Sequence, residues 1–165
     1  MGAVMQLKLK RTGDYATRAM ISVARHYGTG LRQARPISTE MHIPYKTLTL
    51  TLAELVAKGL LAAEQGPNGG YRLARPPTDI TLLDIVEAAE GPATFKHCVL
   101  RDGPCDWEET CPVHETWSQV QNALARQLAS TTLATLAGID AAIEAGTHQH
   151  TPPHPQRTPR HGTRN

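Results

Sequence analysis

Between Leu60 and Pro77 the chain reads LLAAEQGPNGGYRLARPP, with short apolar-containing runs at Leu60–Glu64 and Tyr71–Ala74 on either side of Gly-Pro-Asn-Gly-Gly. Few folds accommodate that pattern. A proline among three glycines cannot continue a helix, and Asn-Gly between two such runs is a strong hairpin signal. The preceding stretch, PYKTLTLTLAELVAK at 44–58, pulls in two directions. TLTLTL alternates with period two and is rich in β-branched Thr, which alone specifies a strand. Over the wider window Leu48, Leu52, Leu55, Val56 and Leu60 recur at steps of four, three, one and four, a helical stripe that Gly59 stops. The spacing predicts a helix followed by a hairpin.

Upstream, residues 12–27 carry a loose apolar face of Tyr15, Ala19, Ile21 or Ser22, Val23 and His26, with Thr12 or Asp14 as candidate caps and Gly28 and Gly30 as the stop. Residues 36–41 predict a very short second helix, and His42-Ile43-Pro44 a turn, because Pro44 disfavours helix at Ile43. Helix, turn, helix and hairpin is the order of a winged helix-turn-helix, in which the second helix of the pair enters the major groove. Downstream, Thr78–Thr81 opens a helix burying Leu82, Leu83, Ile85, Val86 and Ala89, ended by Gly91-Pro92. Residues 114–137 read as one long helix with Trp117, Val120, Leu124, Leu128 and Thr131 on a stripe. Such a stripe outside the winged core needs a partner, and a second copy of the chain is the economical one. The expected architecture is mainly α with a small β-hairpin wing, a winged helix-turn-helix plus a long dimerisation helix. It divides into residues 5–77 for DNA binding, 78–140 for the cysteine loop and dimerisation, and a tail at 146–165.

Charge is segregated along the chain. Residues 1–75 carry eleven Lys/Arg against four Asp/Glu, residues 76–145 three against eleven, and the tail three Arg and no acid. A basic first half joined to an acidic second half is the footprint of a polyanion-binding module coupled to something else. The tail, with four Pro, four His and almost no apolar side chains, predicts disorder. No apolar run approaches the roughly 18 residues that a membrane span requires, and MGAVMQLKLKR lacks a signal-peptide core. The expectation is a cytoplasmic protein without a membrane partner.

All three cysteines lie in CVLRDGPCDWEETCPVH, residues 98–114. In a reducing compartment, clustered thiols are more often metal ligands or redox groups than disulfides. Cys98, Cys105 and Cys111 are separated by six and five intervening residues, wider than the close pairs typical of zinc modules. The spacing suits a loop wrapped around a bulkier soft centre, an iron–sulfur cluster. A mononuclear zinc site using Cys111 and His114, or three reduced surface thiols, are the plainer alternatives. Candidates for a fourth ligand are His114, His97, the loop acids Asp102, Asp106, Glu108 and Glu109, and Asp14 from a second subunit; composition and spacing do not rank them. An enzyme with a catalytic thiol at Cys98 beside His97 finds no second chemical motif, and no small-molecule substrate is implied. A protein–protein adaptor built on the same fold fits poorly with the basic first half.

Taken together, the order of elements, the GPNGGY wing, the ITLLDIVEAAEG helix and C-x6-C-x5-C-P-V-H resemble the iron–sulfur winged-helix repressor family typified by IscR and NsrR, over roughly residues 5–140. The resemblance implies a dimeric transcription regulator, in most cases a repressor, that senses nitric oxide, redox state or cluster supply. It implies Cys98, Cys105 and Cys111 as ligands. The fourth is either His114, in the C-x2-H pattern, or Asp14 of the other subunit, in TGDYATR. Asp14 with a 4Fe–4S cluster is favoured over a 2Fe–2S one. Zinc- or thiol-based sensing is the alternative. Candidate DNA contacts are Tyr45, Lys46, Thr47 and Thr49 on the recognition helix, Arg72 on the wing, and Lys8, Lys10 and Arg11 ahead of the first helix. Gln65 stands where many relatives carry Arg before the glycine-rich tip.

Overall fold

The computed structural model describes residues 10–92 and 110–148. Lys8, Cys98, Cys105 and the tail from 149 onward therefore lie outside the described residues. The elements are α1 (Arg11–Arg25), α2 (Ala34–Glu40), α3 (Tyr45–Ala57), β1 (Leu61–Glu64), β2 (Gly70–Leu73), a 3-10 turn at Pro77–Asp79, α4 (Leu82–Glu90), α5 (His114–Ser130) and α6 (Leu133–Glu144).

Helix α1 is the spine of the core. It buries Ala16, Ala19, Met20, Val23 and Ala24 and packs against α3, α4 and α6. Around it close Ile37 of α2, Ile43, Leu48, Leu52 and Leu55 of α3, Leu60 and Leu61, Leu73, Ile80, Ile85 and Leu133. The helical stripe at 44–58 prevails over the period-two pattern because burial of Leu48, Leu52 and Leu55 on one side decides the conformation. The threonines adapt: Thr51 Oγ1 donates to the Thr47 carbonyl at 3.1 Å and Thr49 Oγ1 to the Lys46 carbonyl at 2.9 Å, which settles hydroxyls that otherwise compete with the helix. Gly59, at φ +71°, ends α3 in the left-handed conformation that costs glycine little.

The wing is the antiparallel pair β1–β2, registered Leu61 to Leu73 and Glu64 to Gly70. Its tip differs from a two-residue Asn-Gly turn. Gly69 N–H donates to the Gly66 carbonyl at 2.9 Å, so Pro67 and Asn68 are the central pair. Proline's fixed φ favours the first of those positions. A bridge between Arg32 and Tyr71 ties the wing to the segment before α2.

Three other expectations are corrected. Helix α1 starts from Lys10, so neither Thr12 nor Asp14 caps it; Asp14 lies inside the first turn, where its charge complements the helix dipole. Helix α4 starts later than expected. Ile80 is buried in extended backbone, and Thr81 caps α4 in a reciprocal box with Asp84. Of its expected core side chains, Ile85 and Val86 are buried, whereas Leu82, Leu83 and Ala89 are half-buried. The single helix over 114–137 is two. Leu82 N–H donates to the Thr131 carbonyl and Leu133 N–H to the Ile80 carbonyl, both at 2.8 Å. This short ladder holds Thr131 and Thr132 extended, and Thr132 caps α6 through its bond from Thr135 N–H. No described helix is long and apolar enough to cross a membrane.

Candidate nucleic-acid interface and cysteine segment

Helices α2 and α3 form the helix-turn-helix. The turn is tight: His42 adopts φ +51°, and Ser38 Oγ donates to the Ile43 carbonyl at 2.7 Å while Ile43 N–H returns to the Ser38 carbonyl at 3.0 Å. With Leu48, Leu52 and Leu55 pinned inward, the opposite side of α3 faces solvent. Tyr45 and Lys46 are exposed there and Thr47 and Thr49 half-buried. Sequence reasoning missed two further residues of this face. Leu50 is 71% exposed; its position off the Leu48–Leu52–Leu55 stripe was the available signal. Arg35, on α2, lays its guanidinium 5.1 Å from the Tyr45 ring centroid, adding a cation beside the helix start. Nothing local in the sequence announces that pairing.

On the wing, Arg72 Nε donates to Glu64 at 3.2 Å, an exposed pair. Gln33 Nε2 donates to the Pro67 carbonyl at 3.4 Å, fastening the wing tip to the entrance of α2. Beneath the helix-turn-helix lies a charged junction. Glu40 accepts from Ser22 at 2.8 Å, from Arg25 at 3.3 Å and from Arg32. Arg25 also reaches Asp140, at 3.0 Å, and Glu144. The junction joins α1, α2, the wing-linked segment at Arg32 and α6. Burial alone raises a carboxyl's pKa, but the hydrogen bonds from Arg32 and Ser22 and the charges of both arginines hold Glu40 below its ordinary value. Burial likewise pulls Arg25 down, and the carboxylates of Glu144, Asp140 and Glu40 more than offset it.

The cysteine segment leaves the end of α4 and returns at α5. At its departure, Glu90 Oε1 accepts from Lys10 N–H at 2.7 Å and Gly13 N–H at 3.2 Å. A residue of α4 thus supplies the cap that α1 lacks locally. A Cβ at Gly13 would stand 2.3 Å from that carboxylate oxygen, so an alanine there would have to push the Glu90 side chain off the helix start. One residue on, Asp14 is half-exposed and paired in a fork with Arg18, Nε to Oδ1 at 3.1 Å. Arg18 also donates to the Met41 carbonyl at 2.7 Å, in the helix-turn-helix turn. At the return, Cys111 is a half-buried free thiol. The His114 N–H donates to the Cys111 carbonyl at 3.1 Å, bringing both onto one turn, and the His114 ring lies 3.3 Å from Ser118 Oγ. Among the described residues no three His, Cys, Asp or Glu side chains converge; Cys98 and Cys105 are not among them. The donors that are described suit a soft metal centre: an unpaired thiol and an imidazole on one turn at a helix start. Lys10 and Arg11 are exposed at the α1 start.

Comparison with known proteins places these features in context. The family model Rrf2, described as an iron-dependent transcriptional regulator, matches residues 9–138. The HTH-type transcriptional regulator IscR of Citrobacter koseri is 26% identical over 152 residues, 92% of this chain and 93% of that one. Among solved structures, IscR of T. potens superposes with a TM-score of 0.68 at 28% identity, covering 90% of this chain and 97% of that one. CymR, the global cysteine regulator of B. subtilis, gives 0.69 at 29% identity, covering 81% and 98%.

Proposed function

Since this chain belongs to the Rrf2 family of DNA-binding transcriptional regulators, we propose that it is a homodimeric, cytoplasmic repressor whose hold on a double-stranded operator is set by an iron–sulfur cluster. The observation that carries this reading is the division of α3, which buries Leu48, Leu52 and Leu55 and turns Tyr45, Lys46 and Leu50 outward beside a hairpin wing. On this reading residues 5–77 bind DNA, residues 78–140 hold the cluster and pair the subunits, and the chain catalyses no reaction.

Lys46, Arg72, Lys8, Lys10 and Arg11 bond phosphates, giving affinity that weakens with salt; the hydroxyls of Tyr45, Thr47 and Thr49 reach phosphates or base edges. Cys98, Cys105 and Cys111 hold the cluster together with Asp14 of the other subunit, or with His114. When bound, a 4Fe–4S centre supplies a soft, reactive site that nitric oxide or oxidants alter. Asp14 is paired with Arg18, which also bonds the helix-turn-helix turn at Met41, so an Asp14 that held the cluster would leave Arg18 without that partner. A change at Asp14 therefore bears on the reading head through Arg18. Two-fold pairing along α5 sets the spacing of the two reading heads.

Anaerobic purification with absorption spectroscopy, iron and sulfide analysis and native mass spectrometry tests the proposal. The wild type is expected to be a coloured dimer. Cys105→Ala is expected to lose the visible absorption and to change operator affinity by about tenfold, within the range of allosteric couplings. Asp14→Ala and His114→Ala separate the two candidates for the fourth ligand, since only the true ligand's variant shifts the cluster spectrum. Colourless, iron-free wild type that binds its operator normally overturns the cluster in favour of zinc- or thiol-based sensing.

A further inference from the structure

We infer that Leu50 reads the C5-methyl group of a thymine in each operator half-site. The inference rests on the DNA-binding reading above and goes beyond it by naming a residue and the chemical group it recognises. Leu50 is the most exposed of the large apolar side chains on the described surface, at 71%. The others have a different setting. Val113, Val120, Ile139 and Ile143 lie on or beside α5 and α6, Tyr27 lines the cleft between the end of α1 and the base of the wing, and Tyr45, at the start of α3, is stacked on Arg35. Leu50 has no apolar surroundings of its own kind. Its neighbours on the outward side of α3 at steps of three and four are Lys46, Thr47, Ala53 and Glu54. A lone leucine in a polar field is too small a patch to seat a protein partner, and it gains nothing from water.

Its position on α3 is that of a base reader. Residues in the N-terminal half of a recognition helix face base edges, and here that half carries Lys46 and, through the Arg35–Tyr45 stack, a second cation. The single acid of α3, Glu54, lies one turn further on. Phosphate bonds from such cations hold the helix in the groove and carry no sequence information. Leu50 has neither donor nor acceptor. In the major groove only thymine, among the four bases, offers an apolar group. Leu50 and that methyl group match in chemistry, and the side chain rejects partners whose polar edges it would leave unbonded.

The test uses the full-length protein, purified without oxygen, and the duplex it selects from a random library. Each thymine is replaced in turn by deoxyuridine, which removes the methyl group alone, and affinity is read by fluorescence anisotropy. At one pair of symmetry-related positions the wild type is expected to lose about fourfold per half-site, the worth of one buried methyl-sized group, and about fifteenfold with both replaced. Leu50→Ala, which leaves the core untouched and is checked by its thermal unfolding, is expected to bind more weakly and to be indifferent to the same replacement. Equal losses in wild type and Leu50→Ala at every thymine overturn the inference while leaving DNA binding intact. Wild type that selects no sequence and shows no salt-dependent binding overturns the DNA-binding reading itself, and this inference with it.

Discussion

Helices α1 and α5 are of similar length, fifteen and seventeen residues, yet α1 buries seven residues and α5 none. The first is enclosed by α3, α4 and α6 of its own chain. The second rests Trp117, Leu124 and Leu128 half-covered and leaves Val120 51% exposed. The difference separates two ways of stabilising a helix. The reading head completes its core within one chain, so its docking geometry does not wait on assembly. Helix α5 has a stripe that the described residues cover only in part, and on the dimeric reading a second copy covers the rest. On that reading stability and signalling fall on different surfaces.

Substitutions at one buried and one exposed apolar position put the largest strain on that contrast. Leu52→Ala, at a fully buried site of α3, is expected to cost about 2–5 kcal/mol in urea unfolding. Val120→Ala is expected to cost less than about 0.5 kcal/mol at concentrations where the chain is monomeric, and instead to raise the dimer dissociation constant in sedimentation. Equal unfolding costs at the two sites would erase the distinction between the helices.

A smaller effect probes how the closed core meets the cysteine segment. Gly13→Ala displaces the Glu90 carboxylate from its bonds at the start of α1, with an expected cost of up to about 2 kcal/mol, the worth of a helix cap. Combined with Glu90→Ala, the total should fall short of the sum of the two single changes, since the second removes what the first strikes. Additive costs in a double-mutant cycle would show that the close approach does not constrain the start of α1.

The smallest expected effect is pH-dependent and belongs to the charged junction. Glu40→Gln is expected to cost about 1–2 kcal/mol at neutral pH through its bonds to Ser22, Arg25 and Arg32. Because the folded state holds the Glu40 carboxyl below its ordinary 4.5, its stabilisation is complete above that value and is lost as pH falls through the lower folded one. Denaturation curves at pH 7 and near pH 3 should therefore show wild type and variant converging in acid. A gap that widens there contradicts the sign.

Much of this organisation was legible in the sequence, and the failures have a common cause. The Leu48–Leu52–Leu55 stripe outweighed the alternating threonines, and the glycines around Pro67 marked the wing, because both signals are local. The break at Thr131 was not legible. The apolar stripe of 114–137 runs through it, and what opens the helix is a ladder to Ile80 and Leu82, fifty residues upstream. Asp14 is a good cap by residue type, but the cap of α1 comes from Glu90, on another helix. For the candidate site, Tyr45 and Lys46 on the outward side of α3 could be read directly, and Leu50 was available from its place off the leucine stripe. The Arg35–Tyr45 stack and the Glu40 junction could not, since each depends on how helices meet.

The bridge between Thr81 and Thr132 makes a closed excursion of everything between them, the cysteine loop and α5 included. Its two feet stand side by side on the floor of the reading head, so the excursion resembles a cartridge in a socket. Closure entropy grows only slowly with the length of such a loop. Exchanges between the end of α4 at Glu90 and the start of α5 at His114 would leave Ile85 in the core and the Glu90 cap in place, so that on the proposed reading one DNA-reading platform can be fitted with different detectors.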